Sequence, residues 1–216
     1  MDNVTARRQM VEQQIRTWEV LDPRVLDACA TVPREEFVPP AYRDLAFADA
    51  SIPIGMGQSM LAPKLHGRIL QALAVDPEDT VLEIGTGTGY LSACLGLLAA
   101  TVRSIDIHAD FIAQARANLA TLPAARVELQ VRDAFGAAPL GEYAAIAVTG
   151  SLPRYDTRFE RALAVGGRLF VVVGTAPVME ALLVRRVSAG EWNRESLFET
   201  VIEPLIGAPS VDRFVF

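Results

Sequence analysis

The 216-residue sequence predicts an α/β fold, a mostly parallel central sheet with helices on both faces, behind an N-terminal helical extension. Three observations carry this expectation. From residue 80 onward, short apolar runs alternate with helical segments, as strands interleaved with helices do. The first of these runs leads directly into Gly85-Thr86-Gly87-Thr88-Gly89, a turn of the kind that joins a strand to a helix in nucleotide-binding α/β folds. Before residue 80 the apolar spacing is helical rather than alternating. The length suits one compact unit, which we divide into residues 1–75, a helical region with a substrate-side loop, and residues 76–216, a ligand-binding core.

The individual elements follow from local signals. Met10, Val11, Ile15 and Trp18 recur at helical spacing, so residues 4–20 read as one helix. Asp22-Pro23 starts a second helix, with proline at its first position; it carries Val25, Leu26 and Ala28 and stops before Pro33. The proline-rich stretch Val38–Tyr42 is a connection. Residues 49–63, with Pro53, Gly55, Gly57 and Pro63, read as an irregular loop long enough to suggest a function. A helix resumes over Lys64–Ala74. Strands are expected at Val81–Ile84, Val102–Ile107, Arg126–Arg132, Ala144–Thr149, Arg168–Val173, Val178–Val187 and Ser196–Pro204, and helices at Tyr90–Ala100, Ala109–Leu122 and Arg158–Leu163.

Composition narrows the function classes. A formal charge of −6 and a pI near 5.0 disfavour a broad phosphate-binding face, so nucleic acid is not the expected partner. Two cysteines, Cys29 and Cys94, give neither a disulfide framework nor zinc spacing; both sit among apolar neighbours and read as buried thiols. His66 and His108 lack partners at metal-ligand spacing, so no metal is expected. No secretion signal opens the chain and no apolar stretch is long enough for a bilayer, which makes the cytoplasm the expected compartment and a membrane an unexpected partner. Arg7-Arg8 reads as a solvated helix face. The sequence leaves the number of subunits open.

The glycine loop carries most of the functional information. A phosphate-cradling loop needs Gly-Lys-Ser/Thr, and no lysine follows here. A dinucleotide fingerprint needs a sixth-position glycine, where this chain has Tyr90. The spacing Gly85-x-Gly87-x-Gly89 preceded by Glu83 is instead the pattern of S-adenosylmethionine-dependent methyltransferases, a Rossmann-like class I arrangement. Their cofactor carries a sulfonium cation and an amino-acid tail in place of a pyrophosphate. Glu83 can organise the loop or meet the positive end of the ligand. Asp106, with Ile107, ends the second strand, where acids hydrogen-bond ribose hydroxyls; Asp133, with Ala134, follows the third strand within reach of an adenine amine. A capping role for Asp106 and Asp133 stands beside that reading. Thr86 completes the loop. His108 either flanks the nucleoside or is a solvated loop residue, and Lys64, the one lysine of the chain, reads as a solvated residue at a helix start, with attraction of a carboxylate as the alternative.

At this point the chain resembles the protein-L-isoaspartate (D-aspartate) O-methyltransferase family. The resemblance rests on Met10-Val11 with Gln14-Ile15, Val32-Pro33-Arg34-Glu35 with Phe37-Val38-Pro39, Ile54-Gly55-Met56-Gly57-Gln58, Val81–Tyr90, Ile146–Thr149 and Gly166-Gly167-Arg168-Leu169 with Gly174. It implies methyl transfer from S-adenosylmethionine to the α-carboxylate of isoaspartyl residues in damaged proteins, with S-adenosylhomocysteine as product. It also implies cofactor contacts at Ala62, Pro63, Lys64 and Leu65. Two positions depart from the family pattern. Leu61 stands where members carry an active-site serine, and it has no hydrogen-bonding group. Glu203-Pro204-Leu205-Ile206 replaces a Val-Pro-Leu-Thr-like segment, so a second hydroxyl is missing. Ser59, two residues upstream of Leu61, is the candidate to take over the catalytic role. Because of Leu61, two alternatives stay open: a methyltransferase of the same fold with another acceptor, such as a different carboxylate, or a non-catalytic homologue that binds S-adenosylmethionine.

Overall fold

The computed structural model describes residues 2–122 and 126–209, so the outer limits expected for the two regions, residues 1 and 216, lie outside the described residues. The N-terminal part holds α1 (Asn3–Met10), α2 (Pro23–Thr31) and α3 (Arg34–Phe37). A hairpin of β1 (Ile52–Gly55) and β2 (Gln58–Met60) follows, then α4 (Pro63–Leu73). The rest runs β3 (Thr80–Ile84), α5 (Tyr90–Leu98), β4 (Thr101–Asp106), α6 (Ala109–Leu119), β5 (Val127–Val131), β6 (Tyr143–Leu152), α7 (Thr157–Arg161), β7 (Leu163–Thr175), β8 (Val178–Ser188) and β9 (Glu191–Glu199).

The large sheet has the order β5-β4-β3-β6-β7-β8-β9, with five parallel strands from β5 to β7, β8 antiparallel to β7, and β9 antiparallel to β8. Its central strands bury both faces, because successive side chains point to opposite sides. Val81, Ala145, Ala147, Phe170 and Val172 enter one core, shared with α2, α4 and α5. Leu82, Ile84, Ile146, Val148, Leu169 and Val171 enter the other, against Phe159 of α7. The α/β fold with helices on both faces is therefore present. Among the described residues no helix is long and apolar enough to cross a membrane.

Four expectations are corrected. The single helix over residues 4–20 is broken: α1 gives way to a wide π turn over Val11–Ile15 and a 3-10 turn over Arg16–Trp18, ended by Glu19 in the left-handed region. The widening keeps Met10, Val11 and Ile15 all buried against the core. The expected loop at 49–63 contains the β1–β2 hairpin, whose Gly55-Met56-Gly57 turn has positive φ throughout. Its proline is tolerated because this two-stranded ribbon is all edge. The last strand starts at Glu191 and ends at Glu199, before Pro204. Arg7 is not solvated: its guanidinium pairs with Glu35 and donates to the Ala30 carbonyl. Cys29 and Cys94 are free, buried thiols.

Candidate functional site

Strand order reverses beside β3: β4 and β5 extend the sheet one way, β6 and β7 the other. A crevice opens beyond the carboxyl ends of the strands at such a switch point. Here it is a cleft with about 610 Å³ of empty space, entered from the ends of β3, β4, β5 and β6.

The glycine loop forms its floor. Gly85 and Thr86 both donate backbone N–H groups to the Ile105 carbonyl, at 2.9 and 3.3 Å, which binds the loop to β4. Gly85 has φ +97, and a Cβ there would collide with the Thr149 hydroxyl, which itself donates to the Ile84 and Gly85 carbonyls at 2.9 and 2.8 Å. Gly89 caps α5 with φ +88, and a Cβ would sit 3.0 Å from that of Ala115 on α6. Both positions need glycine for conformation and for space.

Gly85, Gly87, Asp106, Ile107, Asp133 and Ala134 line this one cleft, and Ser59 joins them from the hairpin. Asp106 accepts from the Gly87 N–H at 3.0 Å with one oxygen and from the His108 N–H at 2.9 Å with the other. Asp133 accepts from the Phe135 N–H at 2.8 Å. Each acid thus fixes its own turn and borders the cleft, but neither caps a helix: α6 has His108 at its N-cap with no side-chain bond, and only turns follow Asp133. His108 also lines the cleft, its ring edge-on to Phe111, with Nε2 buried and without a partner among the described residues.

Glu83, Thr86 and Leu61 border a smaller recess of about 330 Å³ that shares Ile54, Ser59, Gly85, Gly87 and Thr149 with the cleft. Glu83 is fully buried and accepts from Ser104 at 2.5 Å and from Ser92, while its Oε1 has no partner among the described residues. Burial pushes its carboxyl up to about 7, against the lowering effect of the two serine hydroxyls. Gly89 borders neither cavity, and nor do Ala62, Pro63, Lys64 and Leu65. The Lys64 ammonium pairs with Asp49 at 2.8 Å and lies 4.4 Å from the Trp18 ring centre. It is engaged on the outside of α4.

A buried cation supports the recess. Arg34 is fully buried and donates to the Ala46 carbonyl at 2.8 Å, to the Leu61 carbonyl at 2.8 Å and toward His66 Nδ1 at 3.1 Å, with its carbon 4.9 Å from the Tyr90 ring centre. Burial pulls its pKa down, and burial with this neighbouring charge holds His66 well below the ordinary histidine range. His66 is then a neutral acceptor for the guanidinium. Sequence reasoning named neither residue for this role, because the contacts span 32 and 27 residues. It also missed the cleft walls Phe111 and Phe135, which carry no motif, and assigned no cleft role to Ile54, Thr149 and Leu205, which lie in segments compared with the family pattern.

A model of the protein-L-isoaspartate(D-aspartate) O-methyltransferase family matches residues 5–208. A protein-L-isoaspartate O-methyltransferase of Koribacter versatilis is 40% identical over 202 residues, covering 93% of this chain and 90% of the relative. One of Methanoregula boonei is 41% identical over 203 residues, covering 93% of each. In fold, the chain is similar to a Plasmodium falciparum chain described as a protein-L-isoaspartate O-methyltransferase in complex with S-adenosyl-L-homocysteine. The TM-score is 0.83 with 16% identity, over 95% of this chain and 99% of that one.

Proposed function

The chain belongs to the protein-L-isoaspartate (D-aspartate) O-methyltransferase family, and on that premise we propose that it methylates the α-carboxylate of isoaspartyl residues in proteins, using S-adenosylmethionine and releasing S-adenosylhomocysteine. The observation that carries the reading is the joined cleft and recess at the switch point, with Asp106 and Asp133 in one and the unpartnered Glu83 oxygen in the other.

The residues present fit the methyl donor. An orphaned, buried carboxylate oxygen suits a cationic group, and a cation beside Glu83 would favour its ionised form. Asp106, held by two backbone N–H groups, presents an oriented acceptor for ribose hydroxyls, and Asp133 with Ala134 suits the purine end. Gly85, Thr86, Gly87 and Ile107 supply the surrounding surface, Gly89 opens the helix behind it, and residues 62–65 act by holding the hairpin's exit. When bound, the donor supplies an electrophilic methyl on a positively charged sulfur.

The acceptor needs no base. A carboxylate with a free pKa near ~4 is already ionised at neutral pH. The protein's task is alignment and exclusion of water. Ile54, Leu61 and Leu205 provide apolar walls for that purpose. Leu61 is buried and offers no side-chain hydrogen bond, so acceptor orientation falls to backbone groups; Ser59 and Thr149 both border the two cavities, and the Ser59 hydroxyl donates its proton to a hydrogen bond with Glu203. In this reading residues 1–75 supply the acceptor side and the remainder the donor side, the acceptor is protein rather than nucleic acid, as the net charge of −6 favours, and the reaction is cytoplasmic.

The buried Leu61 also favours a second reading, a different carboxylate acceptor in the same site. Methyl transfer from labelled S-adenosylmethionine to an isoaspartyl peptide, with its aspartyl counterpart as control, separates the two. Selective turnover is expected. Donor binding without isoaspartyl turnover would transfer the conclusion to the second reading.

A further inference from the structure

Glu203 stands behind the cleft lining, in contact with Ser59, and has no part in the steps above. Its backbone is firmly held. The Ser151 hydroxyl donates to the Ile202 carbonyl at 3.1 Å, the Ser151 N–H to the Glu203 carbonyl at 2.8 Å, and the Leu205 N–H back to the Ser151 carbonyl at 3.0 Å. Leu205 and Ile206, just beyond it, line the cleft. Its side chain reaches across to the hairpin, where the Ser59 hydroxyl donates to Oε1 at 2.7 Å. Ser59 borders both the cleft and the recess, so the Glu203 carboxylate lies one hydrogen bond from the place where the two cavities meet.

Two consequences follow from this placement. The Ser59 proton is directed at Glu203, which leaves the hydroxyl oxygen, not its hydrogen, free toward an incoming group. The second is electrostatic. Glu203 is half-buried, and no ion pair formed among the described residues includes it. A negative charge without an ion-pair partner, fixed one hydrogen bond behind the cleft lining, selects among charged ligands by attraction and repulsion. Lys64 is paired with Asp49, and Arg132, which also lines the cleft, directs its guanidinium to the Ala138 and Pro139 carbonyls.

Resting on the acceptor reading given above, we propose that Glu203 is a specificity-determining residue, favouring isoaspartyl sites with cationic neighbours and disfavouring sites with acidic ones. The test compares two isoaspartyl peptides that differ only in a Lys or a Glu after the isoaspartyl residue. Wild type should favour the Lys peptide by about fivefold in kcat/KM at low salt, the size of an exposed charge pair, and added salt should shrink the ratio. Glu203→Gln keeps an acceptor for Ser59 and should bring the ratio near one. Glu203→Lys should invert it. Ser59→Ala, which cuts the bridge but keeps the charge, should retain the preference. Turnover of both peptides with the same ratio in wild type and Glu203→Gln overturns the proposal alone. Turnover of neither peptide by wild type overturns the acceptor reading and this proposal with it.

Discussion

The Arg34 guanidinium donates to the Leu61 carbonyl at 2.8 Å, tying a helix of the N-terminal region to the residue that borders the recess. The same group holds Ala46 and His66, so one buried cation fixes three segments. Arg34→Leu would leave two buried carbonyls unpaired and should cost about 3 kcal/mol. Arg34→Lys keeps the charge but cannot reproduce the fork and should recover only part of it. Urea unfolding of the two variants decides this; equal stability to wild type would show the contacts to be incidental.

Glu83 gives a prediction in pH. Its folded pKa of about 7 lies above the ordinary value of 4.5, so the folded state holds the proton more tightly than the unfolded one. Stability should therefore fall as pH rises from about 4.5 to about 7, by on the order of 3 kcal/mol for this group, and level off above. Glu83→Gln should flatten that slope and raise the melting temperature at pH 8. A parallel slope in wild type and variant would assign the effect elsewhere.

The same variant should bind the methyl donor worse, because it loses the anionic oxygen that the cation would meet. Wild-type affinity should weaken as pH drops from 8 to 6, while the variant's stays flat. Calorimetric titration at three pH values reads both, and a pH-independent wild type would remove Glu83 from the donor site.

Asp106 accepts from Gly87 and His108, so its loss disturbs the loop as well as the ligand. Asp106→Ala should weaken donor binding by about tenfold to a hundredfold, the worth of charged hydrogen bonds. Asp106→Asn, which keeps one acceptor oxygen, should lie between. An unaltered dissociation constant for Asp106→Ala would place the ribose elsewhere.

Leu61→Ser puts a hydroxyl into the recess and removes most of a buried side chain. The expected cost is about 3 kcal/mol in stability. The variant should still turn over isoaspartyl peptide if it remains folded, since Leu61 takes no proton and holds no charge in the wild-type site. A variant that is folded, binds the donor and is inactive would show that the leucine itself shapes the acceptor pocket.

What was legible in the sequence was local. Glu83 and Asp106 lie at the ends of their strands, the glycine loop and Asp133 come just after theirs, and parallel strands bring such ends to one edge of the sheet. The hairpin was not legible: Pro53, Gly55 and Gly57 are loop residues by propensity, and only the pairing of Ile52 with Met60 and Pro53 with Ser59 makes strands of the segments on either side of the Met56-Gly57 turn. Arg34 and His66 looked ordinary because their partners lie in other elements. The Lys64 reading turned on its environment too: Asp49 and Trp18 settle where its ammonium sits, and neither neighbours it in sequence.

Ser151 ties residues 202–205 to the end of β6, and Leu205 and Ile206 wall the cleft. Every strand of the large sheet precedes these residues in the chain. During synthesis the sheet, the glycine loop and the acids can therefore all be in place while the pocket still lacks a side. A chain shortened to end after β9 would keep every strand of the sheet while its cleft lacked the wall that Leu205 and Ile206 supply.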